Sequence, residues 1–325
     1  MRILLINKYH HITGGGDTYY FQLRNILKAN GHEVVEFCLA GSKNEFSDYS
    51  EYFIKNALTS ESHSTASFPQ KIRAFINGIY NVGAKRNLEK LLKTVKPDIA
   101  HIQNIFYQIS PSIFSVLNKH RIPVVQTLHD FQLICSSNYL FAKGQICEDC
   151  KHGSYYRIVK NRCYNNSLSA SLLAFCSKMT RRYLNTYEKN IDIFICPSSF
   201  LQNKILGWND KFKSKLIVLP LPFKTDKITP VYDSKDYVVF MGRLAKYKGV
   251  MTLLRAFKDL NINLLILGKG DMEIEMKTYI EQNNMLNVDM KGFIENNNIS
   301  DYIKGARFVI VPSEWYENSP ITILE

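Results

Sequence analysis

The sequence has 325 residues, 46% of them hydrophobic and 22% charged, a composition typical of globular proteins with room for two domains. No apolar run approaches the roughly 18 residues of a membrane-spanning helix, and the start MRILLINKYHH turns polar too soon for a signal peptide, so we expect a cytoplasmic protein. The net charge of +12 is uneven, with +14 in residues 1–225 and −2 in residues 226–325, which suggests an anionic partner for the first part.

Short strands alternate with helices along the first 222 residues. The predicted strands are 2–7, 32–39, 97–103, 122–130, 191–198 and 215–222. The predicted helices cover about 17–30, 70–95 and 111–120, and the cysteine-containing region 131–190 is irregular before it becomes helical. Continuous Val, Ile and Leu strands separated by helices indicate a parallel sheet that is buried on both faces.

The same rhythm returns after Pro220–Pro222, with predicted strands 236–242, 263–268, 287–292 and 307–313. The sequence therefore predicts an α/β protein with two doubly wound, Rossmann-like domains that face a cleft. The first domain would be 1–222, with the insertion 131–190, and the second 223–325. Because a doubly wound domain normally has five or six strands, the second domain is expected to be truncated at its C-terminus.

A glycine-rich turn, Gly14–Gly16, follows the first predicted strand. Glycine lets the backbone approach a ligand closely, and the helix N-terminus behind the turn suits a phosphate. A plain strand-to-helix turn explains the glycines equally well. The turn is not a dinucleotide fingerprint, because G-x-G-x-x-G is absent.

Two cations, Arg243 and Lys248, follow the strand 236–242. Ligands bind at the carboxyl ends of strands in open α/β sheets, so this pair is suited to a diphosphate, unless the loop is merely solvated. Gly268 and Gly270 end the next strand, which is consistent with close approach of a nucleotide.

Two glutamates, Glu317 and Glu325, stand on either side of a predicted helix start. Ser319 suits the N-cap and Pro320 the first helical position. The helix amides suit an anionic group, and both carboxylates accept hydrogen bonds from hydroxyls such as those of sugars and riboses. On its own, the segment is also compatible with an acidic loop followed by a surface helix.

The combination of motifs is more specific than any one of them. GRLAKYKG, LGKGD and E-x7-E, in a chain that opens with a glycine-rich loop, resemble family 4 of the retaining glycosyltransferases, which have the GT-B fold. QTLHD, which contains His129, and the cysteine-containing segment after it resemble the bacterial surface-polysaccharide branch of that family.

The resemblance implies a role for each matching residue. Arg243 and Lys248 would bind the donor diphosphate, and His129 would lie at the reacting centre. Glu317 would lie near the transferred sugar. Gly15 and Gly16 would belong to the donor site, and Glu325 would bind the ribose. Gly268, Asn318 and Ser319 are the further predicted donor-binding residues.

Metal-independent transfer is the expected chemistry. Fixed cations and helix amides stabilise a departing nucleoside diphosphate more strongly in the transition state than in the ground state. The sequence contains no Asp-x-Asp, so Arg243 and Lys248 would replace a metal clamp. No cofactor is required on this interpretation.

Four cysteines cluster in the insertion at Cys135, Cys147, Cys150 and Cys163. Their spacing is compatible with a structural zinc or with four reduced thiols. The basic and tyrosine-rich segment 151–189 is compatible with a peripheral contact to an anionic membrane, or with an ordinary solvated helix face.

The sequence thus favours a glycosyltransferase that transfers a sugar from a nucleotide-diphosphate donor to a glycan or polyprenyl-linked acceptor, with retention, in cell-surface polysaccharide synthesis. The alternative is a non-catalytic or weakened nucleotide-sugar-binding protein, because the C-terminal part is expected to be missing. A weaker alternative is a zinc-containing nucleic-acid-binding protein, although no nucleic-acid module is recognised and no nucleic-acid partner is expected.

Overall fold

The structure is a computed structural model that describes residues 1–55, 67–164, 166–222, 231–294 and 296–324. The chain divides into two compact units: unit 1 comprises residues 1–138 and 149–222, and unit 2 comprises residues 139–148 and 223–325. Glu325, the predicted ribose-binding residue, lies outside the described residues. In the described ranges no helix is both long and apolar enough to cross a membrane.

The strands occupy most of the predicted positions. They are β1 Arg2–Ile6, β2 Glu33–Phe37, β3 Ile99–Ile102, β4 Val124–Thr127, β5 Phe141–Ala142, β6 Gln145–Ile146, β7 Ile193–Cys196, β8 Leu216–Val218, β9 Val238–Met241, β10 Leu264–Leu267 and β11 Val288–Gly292.

The helices alternate with the strands along the chain. They are α1 Gly15–Ala29, α2 Phe68–Ile79, α3 Val82–Thr94, α4 Phe106–Ile109, α5 Phe114–Lys119, α6 Arg157–Lys160, α7 Leu168–Tyr183, α8 Thr186–Asn190, α9 Ser199–Leu206, α10 Val250–Phe257, α11 Glu273–Gln282, α12 Asn296–Lys304 and α13 Ile321–Leu324.

Unit 1 is built on a parallel sheet whose described strands have the order β2-β1-β3-β4-β7-β8. Leu4, Leu5 and Ile6 of β1 are fully buried, as expected for a strand covered on both faces. The order reverses between β1 and β3, and ligands bind beyond the carboxyl ends of the strands at such a switch point. The residues that follow β1, β3 and β4 are therefore the candidates for a site in unit 1.

The described part of unit 2 contains a parallel sheet of order β11-β10-β9. All residues of β9 and β10 are buried. The fourth strand, predicted over 307–313, is wrong in extent, because only Val309 forms a bridge, with Val239 of β9. Pro312, three residues later, has no N–H to continue the ladder.

The insertion does not belong wholly to the first unit. The sequence analysis assigned 131–190 to the first domain, whereas residues 139–148, which include the hairpin β5–β6, pack with unit 2. The Tyr139 ring stacks on the Tyr247 ring at a centroid distance of 5.3 Å, and it lies equally close to the Trp315 ring. This aromatic contact is the physical reason for the difference.

The helix predicted over 70–95 is two helices. α2 ends at Ile79, and Asn81 caps α3 by accepting a hydrogen bond from the Ala84 N–H at 2.9 Å. An asparagine side chain satisfies the free amides of a helix start, which favours a new helix over the continuation of α2.

A glycine at the end of the loop after β9 sets the position of that loop. Gly249 has φ of 70°, and a side chain there would overlap the carbonyl oxygen of Pro312. We predict that Gly249→Ala destabilises the protein by about 2 kcal/mol or more, because a left-handed non-glycine residue alone costs about 1–2 kcal/mol. Urea denaturation measures this change.

Gly14→Ala is the matched control. Gly14 has an extended backbone, and a Cβ there would meet nothing within 4 Å. Its free energy of unfolding should change little. Equal losses in the two variants would contradict the role given to Gly249.

Candidate functional site

A buried polar network shapes the loop that follows β1 in unit 1. The Asn7 side chain donates to Asp17 Oδ1 at 2.9 Å, and the Thr13 N–H donates to Asp17 Oδ2 at 3.0 Å. Asn7 Oδ1 accepts from the N–H of Asn104, the second residue after β3, at 3.3 Å. Asp17 lies in the first turn of α1, so the network ties the start of this helix to the ends of β1 and β3.

The structure brings Gly16 and His129 together, as two of the predicted site residues. A Cβ on Gly16 would lie 2.8 Å from Nδ2 of the Asn104 side chain and 3.6 Å from Cγ of the His129 ring. The start of α1, where Gly15 also lies, therefore meets the loops after β3 and β4. The first amides of a helix have no acceptor within the helix, so this position is suited to an anion or a polar ligand.

His129 is held as a neutral imidazole. Its Nε2 lies 2.7 Å from Gln103 Oε1, and it donates to this oxygen in the tautomer that carries the proton on Nε2. Burial, with a smaller effect of the nearby His101, lowers the pKa of His129 to about 3. The Tyr19 ring packs edge-on against the imidazole at 4.9 Å. The histidine thus adds no charge at neutral pH.

The pKa of the neighbouring Asp130 is shifted upward, in the opposite direction to that of His129. Burial raises the pKa of its carboxyl to about 7, although the carboxyl accepts a hydrogen bond from the Gln132 N–H at 2.8 Å. Desolvation disfavours the charged form of an acid, so a substantial share of Asp130 is protonated at pH 7. The surface around His129 is therefore polar but has little charge.

One carboxylate oxygen organises the candidate site in unit 2. Glu317 Oε1 accepts from Lys248 Nζ at 2.7 Å, from Ser313 Oγ at 2.6 Å and from Trp315 Nε1 at 2.9 Å. The Lys248 ammonium also lies 5.3 Å from the centre of the Trp315 ring. Lys248 and Glu317 were predicted at the same edge of the sheet, and the structure places them in direct contact.

The pair is half-buried and electrostatically satisfied. Burial raises the pKa of Glu317, but the hydrogen bonds from Lys248, Ser313 and Trp315 and the charge of Lys248 lower it by more, so the net shift is downward. Glu317 is therefore ionised at neutral pH. None of these three bonds reaches Oε2, so this oxygen is suited to a ligand hydroxyl.

Arg243 lies near Tyr247 in the same loop as Lys248, but it is exposed to solvent. Burial raises the pKa of the Tyr247 hydroxyl. The charge of Arg243 acts in the opposite direction but is the smaller effect. The rings of Tyr139, Tyr247 and Trp315 form an aromatic cluster with centroid distances of 4.8–5.3 Å. Through Trp315, the aromatic cluster also contacts the Lys248 ammonium.

Gly268 packs backbone against backbone. It has φ of 147°, and a Cβ there would overlap the Gly242 carbonyl oxygen at the end of β9. The Gly242 N–H donates to the Leu267 carbonyl at 3.0 Å, which holds the ends of β9 and β10 together. The glycine is needed for this contact, and its predicted approach to a nucleotide stays a prediction.

The segment after Glu317 differs slightly from expectation. The helix predicted to start at Pro320 begins one residue later, as α13 Ile321–Leu324, and the Ile323 N–H donates to the Pro320 carbonyl at 3.0 Å. Asn318 and Ser319 are half-buried in the preceding loop. Their predicted roles in donor binding stay predictions.

The insertion cysteines do not form a metal cage in the part of the chain that the structure describes. All four predicted zinc ligands lie in that part, yet no group of three or more His, Cys, Asp or Glu residues there is arranged to hold a metal ion. The Cys135 thiol instead lies 3.2 Å from the Ser137 hydroxyl. The zinc stays a prediction.

Several site residues were missed by the sequence analysis. In unit 1 they are Gln103 and Asn104, and their signal was two polar amides directly after a buried strand. In unit 2 they are Ser313, Trp315 and Tyr247. Ser313 and Trp315 are hydrogen-bond donors close to Glu317 in the sequence. Only the fold shows that both donate to the same oxygen of Glu317.

The two units, each built on a parallel sheet, have the GT-B fold with its two Rossmann-like domains. Residues 13–227 match the family described as Glycosyltransferase Family 4, and residues 223–325 match the family described as Glycosyl transferases group 1. The chain belongs to glycosyltransferase family 4.

Two further proteins are similar to this chain in sequence. An uncharacterized glycosyltransferase of Methanocaldococcus jannaschii is 25% identical over 135 residues, which are 41% of this chain and 37% of that protein. An uncharacterized 42.6 kDa protein in the cps region of Klebsiella pneumoniae is 21% identical over 98% of this chain and 80% of that protein.

Solved structures share the fold at low identity. The lipopolysaccharide outer core galactosyltransferase WaaB, in its apo form, is similar over 100% of this chain and 77% of that chain, with a TM-score of 0.55 and 15% identity. A TarM variant of S. aureus, in complex with Fondaparinux, alpha-GlcNAc-glycerol and UDP, is similar over 99% of this chain and 83% of that chain, with a TM-score of 0.60 and 10% identity.

The raised pKa of Asp130 makes stability depend on pH. Its pKa rises from 3.8 to about 7 on folding, so its contribution to stability is fully present below pH 4 and is lost as the pH rises through 7. Asp130→Asn lacks this loss. We predict that its free energy of unfolding, relative to wild type, increases between pH 4 and pH 8 by an amount on the order of 1–3 kcal/mol, measured by denaturant titration.

The exposed Asp233 supplies the control for this experiment. Asp233→Asn makes the same chemical change outside any buried environment, and its stability relative to wild type should stay level across the same pH range. The low pKa of His129 acts in the opposite direction, with stability lost as the pH falls below about 6.5, but it is common to both proteins and cancels. A level difference for Asp130→Asn would contradict desolvation of the carboxyl.

Proposed function

We propose that this protein transfers a sugar from a nucleotide-diphosphate donor to a glycan or lipid-linked acceptor, with retention of the anomeric configuration. The observation that carries the proposal is the Lys248–Glu317 pair at the carboxyl end of β9. It combines a cation suited to phosphate with a carboxylate suited to sugar hydroxyls, in a chain of glycosyltransferase family 4.

The cations provide the catalytic electrostatics. When the bond to the sugar breaks, negative charge accumulates on the departing diphosphate. Lys248 keeps two N–H donors beyond the one bonded to Glu317, and Arg243 offers a planar fork that matches phosphate oxygens. By analogy with single oxyanion donors, each such contact contributes roughly 3–4 kcal/mol to the transition state.

The carboxylate and the histidine would act on the sugar side. Glu317 Oε2 is placed to accept from a sugar hydroxyl, while Oε1 stays bound to its three donors. His129, neutral at pH 7, would lie at the reacting centre without repelling an oxocarbenium-like transition state. For retention we propose attack on the face that the diphosphate leaves, with a departing phosphate oxygen taking the acceptor proton.

Surface-polysaccharide synthesis is the proposed setting. Similar proteins include a lipopolysaccharide outer core galactosyltransferase and a protein in a cps region, and a similar structure contains UDP. Peripheral binding at the cytoplasmic face of a membrane is supported by α7, whose exposed apolar residues recur at helical spacing: Leu168, Leu172, Met179 and Tyr183.

Donor binding is the direct test of the proposal. UDP-, GDP- and ADP-sugars are screened by thermal shift, and the correct donor at 100 times its dissociation constant should add about 2.7 kcal/mol to the stability. Arg243→Ala and Lys248→Ala should each weaken binding about tenfold or more, since each removes a charge-assisted contact to phosphate.

Lys246→Ala is the matched control, because Lys246 is an exposed cation in the same loop. It should bind the donor within about threefold of wild type, a difference of about 0.7 kcal/mol. If Lys246→Ala weakens the donor as much as Arg243→Ala, overall charge explains the binding and the assigned diphosphate contacts are wrong. If no nucleotide sugar shifts the wild-type protein, the proposed function itself is wrong.

Metal dependence distinguishes this mechanism from one with a metal clamp. Because Arg243 and Lys248 take the role of the cation, transfer measured by release of the nucleoside diphosphate should persist in excess EDTA and should not need added Mg²⁺ or Mn²⁺. Loss of transfer in EDTA that Mn²⁺ restores would contradict the mechanism.

Elemental analysis of the purified protein tests the separate zinc prediction, which expects one zinc per chain bound by the insertion cysteines.

A further inference from the structure

Unit 1 contains a second cavity, next to the small one that His129 lines. It measures about 70 Å³, several times the roughly 10–15 Å³ that a single water needs, so it has room for a group of several heavy atoms. Its wall includes Gln132, Leu133 and Tyr187, which also line the cavity at His129. A ligand in the second cavity would therefore extend toward the candidate site of unit 1.

The charges around this cavity have mostly one sign. Three cations line it, Lys178, Arg181 and Arg182, all from the last two turns of α7, against one acid, Glu188. Tyr155 covers the cations, since its hydroxyl accepts from Arg182 at 2.8 Å and its ring lies 5.8 Å from the Lys178 ammonium. The cavity is therefore an electropositive site with an aromatic wall.

Two residues that line the cavity, Arg181 and Trp208, have buried donors without an acceptor in the described part of the chain. Nε and Nη2 of Arg181 and Nε1 of Trp208 are buried without a hydrogen-bond partner there. Unsatisfied buried donors cost free energy, more so when they are charged. Nε and Nη2 of one guanidinium form the fork that binds phosphate or carboxylate oxygens in pairs. These three donor nitrogens are chemically suited to phosphate oxygens.

Lys178 is a further cation of the cavity, and its surroundings disfavour its charged form. Its ammonium donates to the Leu133 carbonyl at 2.9 Å, and it has two further donors. Burial, together with the neighbouring charges of Arg181 and Arg182, lowers its pKa to about 8. An anion placed among these three cations would relieve their mutual repulsion.

We propose that this cavity binds a phosphate or diphosphate group and that, where the proposed transferase function holds, this group belongs to the acceptor substrate. Three cations against one acid favour a multiply charged phosphate over a single carboxylate. The wall shared with the His129 cavity would then set how far the acceptor hydroxyl lies from the bound phosphate. The residues involved differ from those proposed for the donor diphosphate.

A phosphate of this kind has two sources, a soluble phosphorylated glycan or a lipid head group. Leu168, Leu172 and Met179 are exposed on the same helix that carries the cations, which favours the lipid source. The shared chemistry is the phosphate, and the experiment separates the two sources.

Trp208 provides a direct readout, because the protein has only two tryptophans and the other is Trp315. In the full-length Trp315→Phe variant, inorganic pyrophosphate is titrated while the emission of Trp208 is followed. We expect a saturable change as the indole N–H gains an acceptor. An unchanged emission at millimolar pyrophosphate would overturn the proposal.

Charge variants in the same background test the residues. Arg181→Gln and Lys178→Gln should each raise the dissociation constant for pyrophosphate about tenfold or more, because each loses a charge-assisted contact. Two variants are used because Arg181 also packs on the Tyr107 and Tyr187 rings, so its substitution tests packing as well as charge.

Lys189→Gln is the control, since Lys189 is exposed on α8 and does not line the cavity. Its dissociation constant should stay within about threefold. If all three variants weaken binding equally, diffuse charge explains it and the cavity is not a phosphate site.

Vesicles separate the two sources of phosphate. Phosphatidylcholine vesicles with and without phosphatidic acid present the same group on a lipid surface. If Lys178→Gln loses the phosphatidic acid-dependent binding and Lys189→Gln keeps it, the ligand is lipid-borne. If the variants bind vesicles alike and Lys178→Gln loses only pyrophosphate, the ligand is soluble. Either result supports the cavity as a phosphate site.

The donor site is tested separately. The Trp208 response should persist in Lys248→Ala, and the donor thermal shift should persist in Lys178→Gln. A Trp208 response without any donor shift in wild type would leave the phosphate site in place and overturn the proposed transferase. A donor shift without the Trp208 response would do the reverse.

Discussion

Oxygen Oε1 of Glu317 is the point on which the candidate site of unit 2 is built. It accepts from Lys248, Ser313 and Trp315, and so joins a loop and a segment that are 69 residues apart in sequence. Hydrogen bonds to charged groups contribute about 1.5–3 kcal/mol each, and a half-buried carboxylate without them would be costly. The geometry around this oxygen is therefore strongly favoured.

Other features of unit 2 follow from this contact. The loop after β9 can reach the segment only because Gly249 presents bare backbone to Pro312. Once there, Glu314 accepts from the Thr252 hydroxyl on α10, and its N–H donates to the Tyr247 carbonyl at 2.9 Å. A preorganised cation and carboxylate need no rearrangement when charge develops on a ligand, which is the condition under which electrostatic catalysis is most effective.

The sequence was sufficient for features that depend on local pattern and failed where tertiary contacts decide. Runs such as Leu4–Ile6 predicted buried parallel strands, because apolar continuity is a property of the chain itself. That Lys248 and Glu317 share an edge followed from strand ends. The break between α2 and α3 was missed although Asn81 is a good cap, because a helical period continues on both sides of it.

The remaining misses concern partners distant in sequence. Nothing near Tyr139 indicates that its ring stacks on Tyr247, so the hairpin was placed with the wrong unit. The pKa values of His129 and Asp130 depend on burial, which a sequence does not show. The cations of α7 were seen as a basic face, and only the fold turns three of them into one cavity.

In unit 1, a nearly uncharged region around His129 adjoins a strongly positive cavity. Around His129 the titratable groups are close to neutral, because desolvation lowers the pKa of the histidine and raises that of Asp130. In the adjoining cavity the side chains of Lys178, Arg181 and Arg182 concentrate positive charge. A substrate held by its phosphate in the second cavity would present an uncharged hydroxyl to the first, where a fixed charge would otherwise compete with the developing charge of the reaction. On this proposal, the net charge of +14 in residues 1–225 would attract anions from solution, and the cavity would retain those that carry a phosphate.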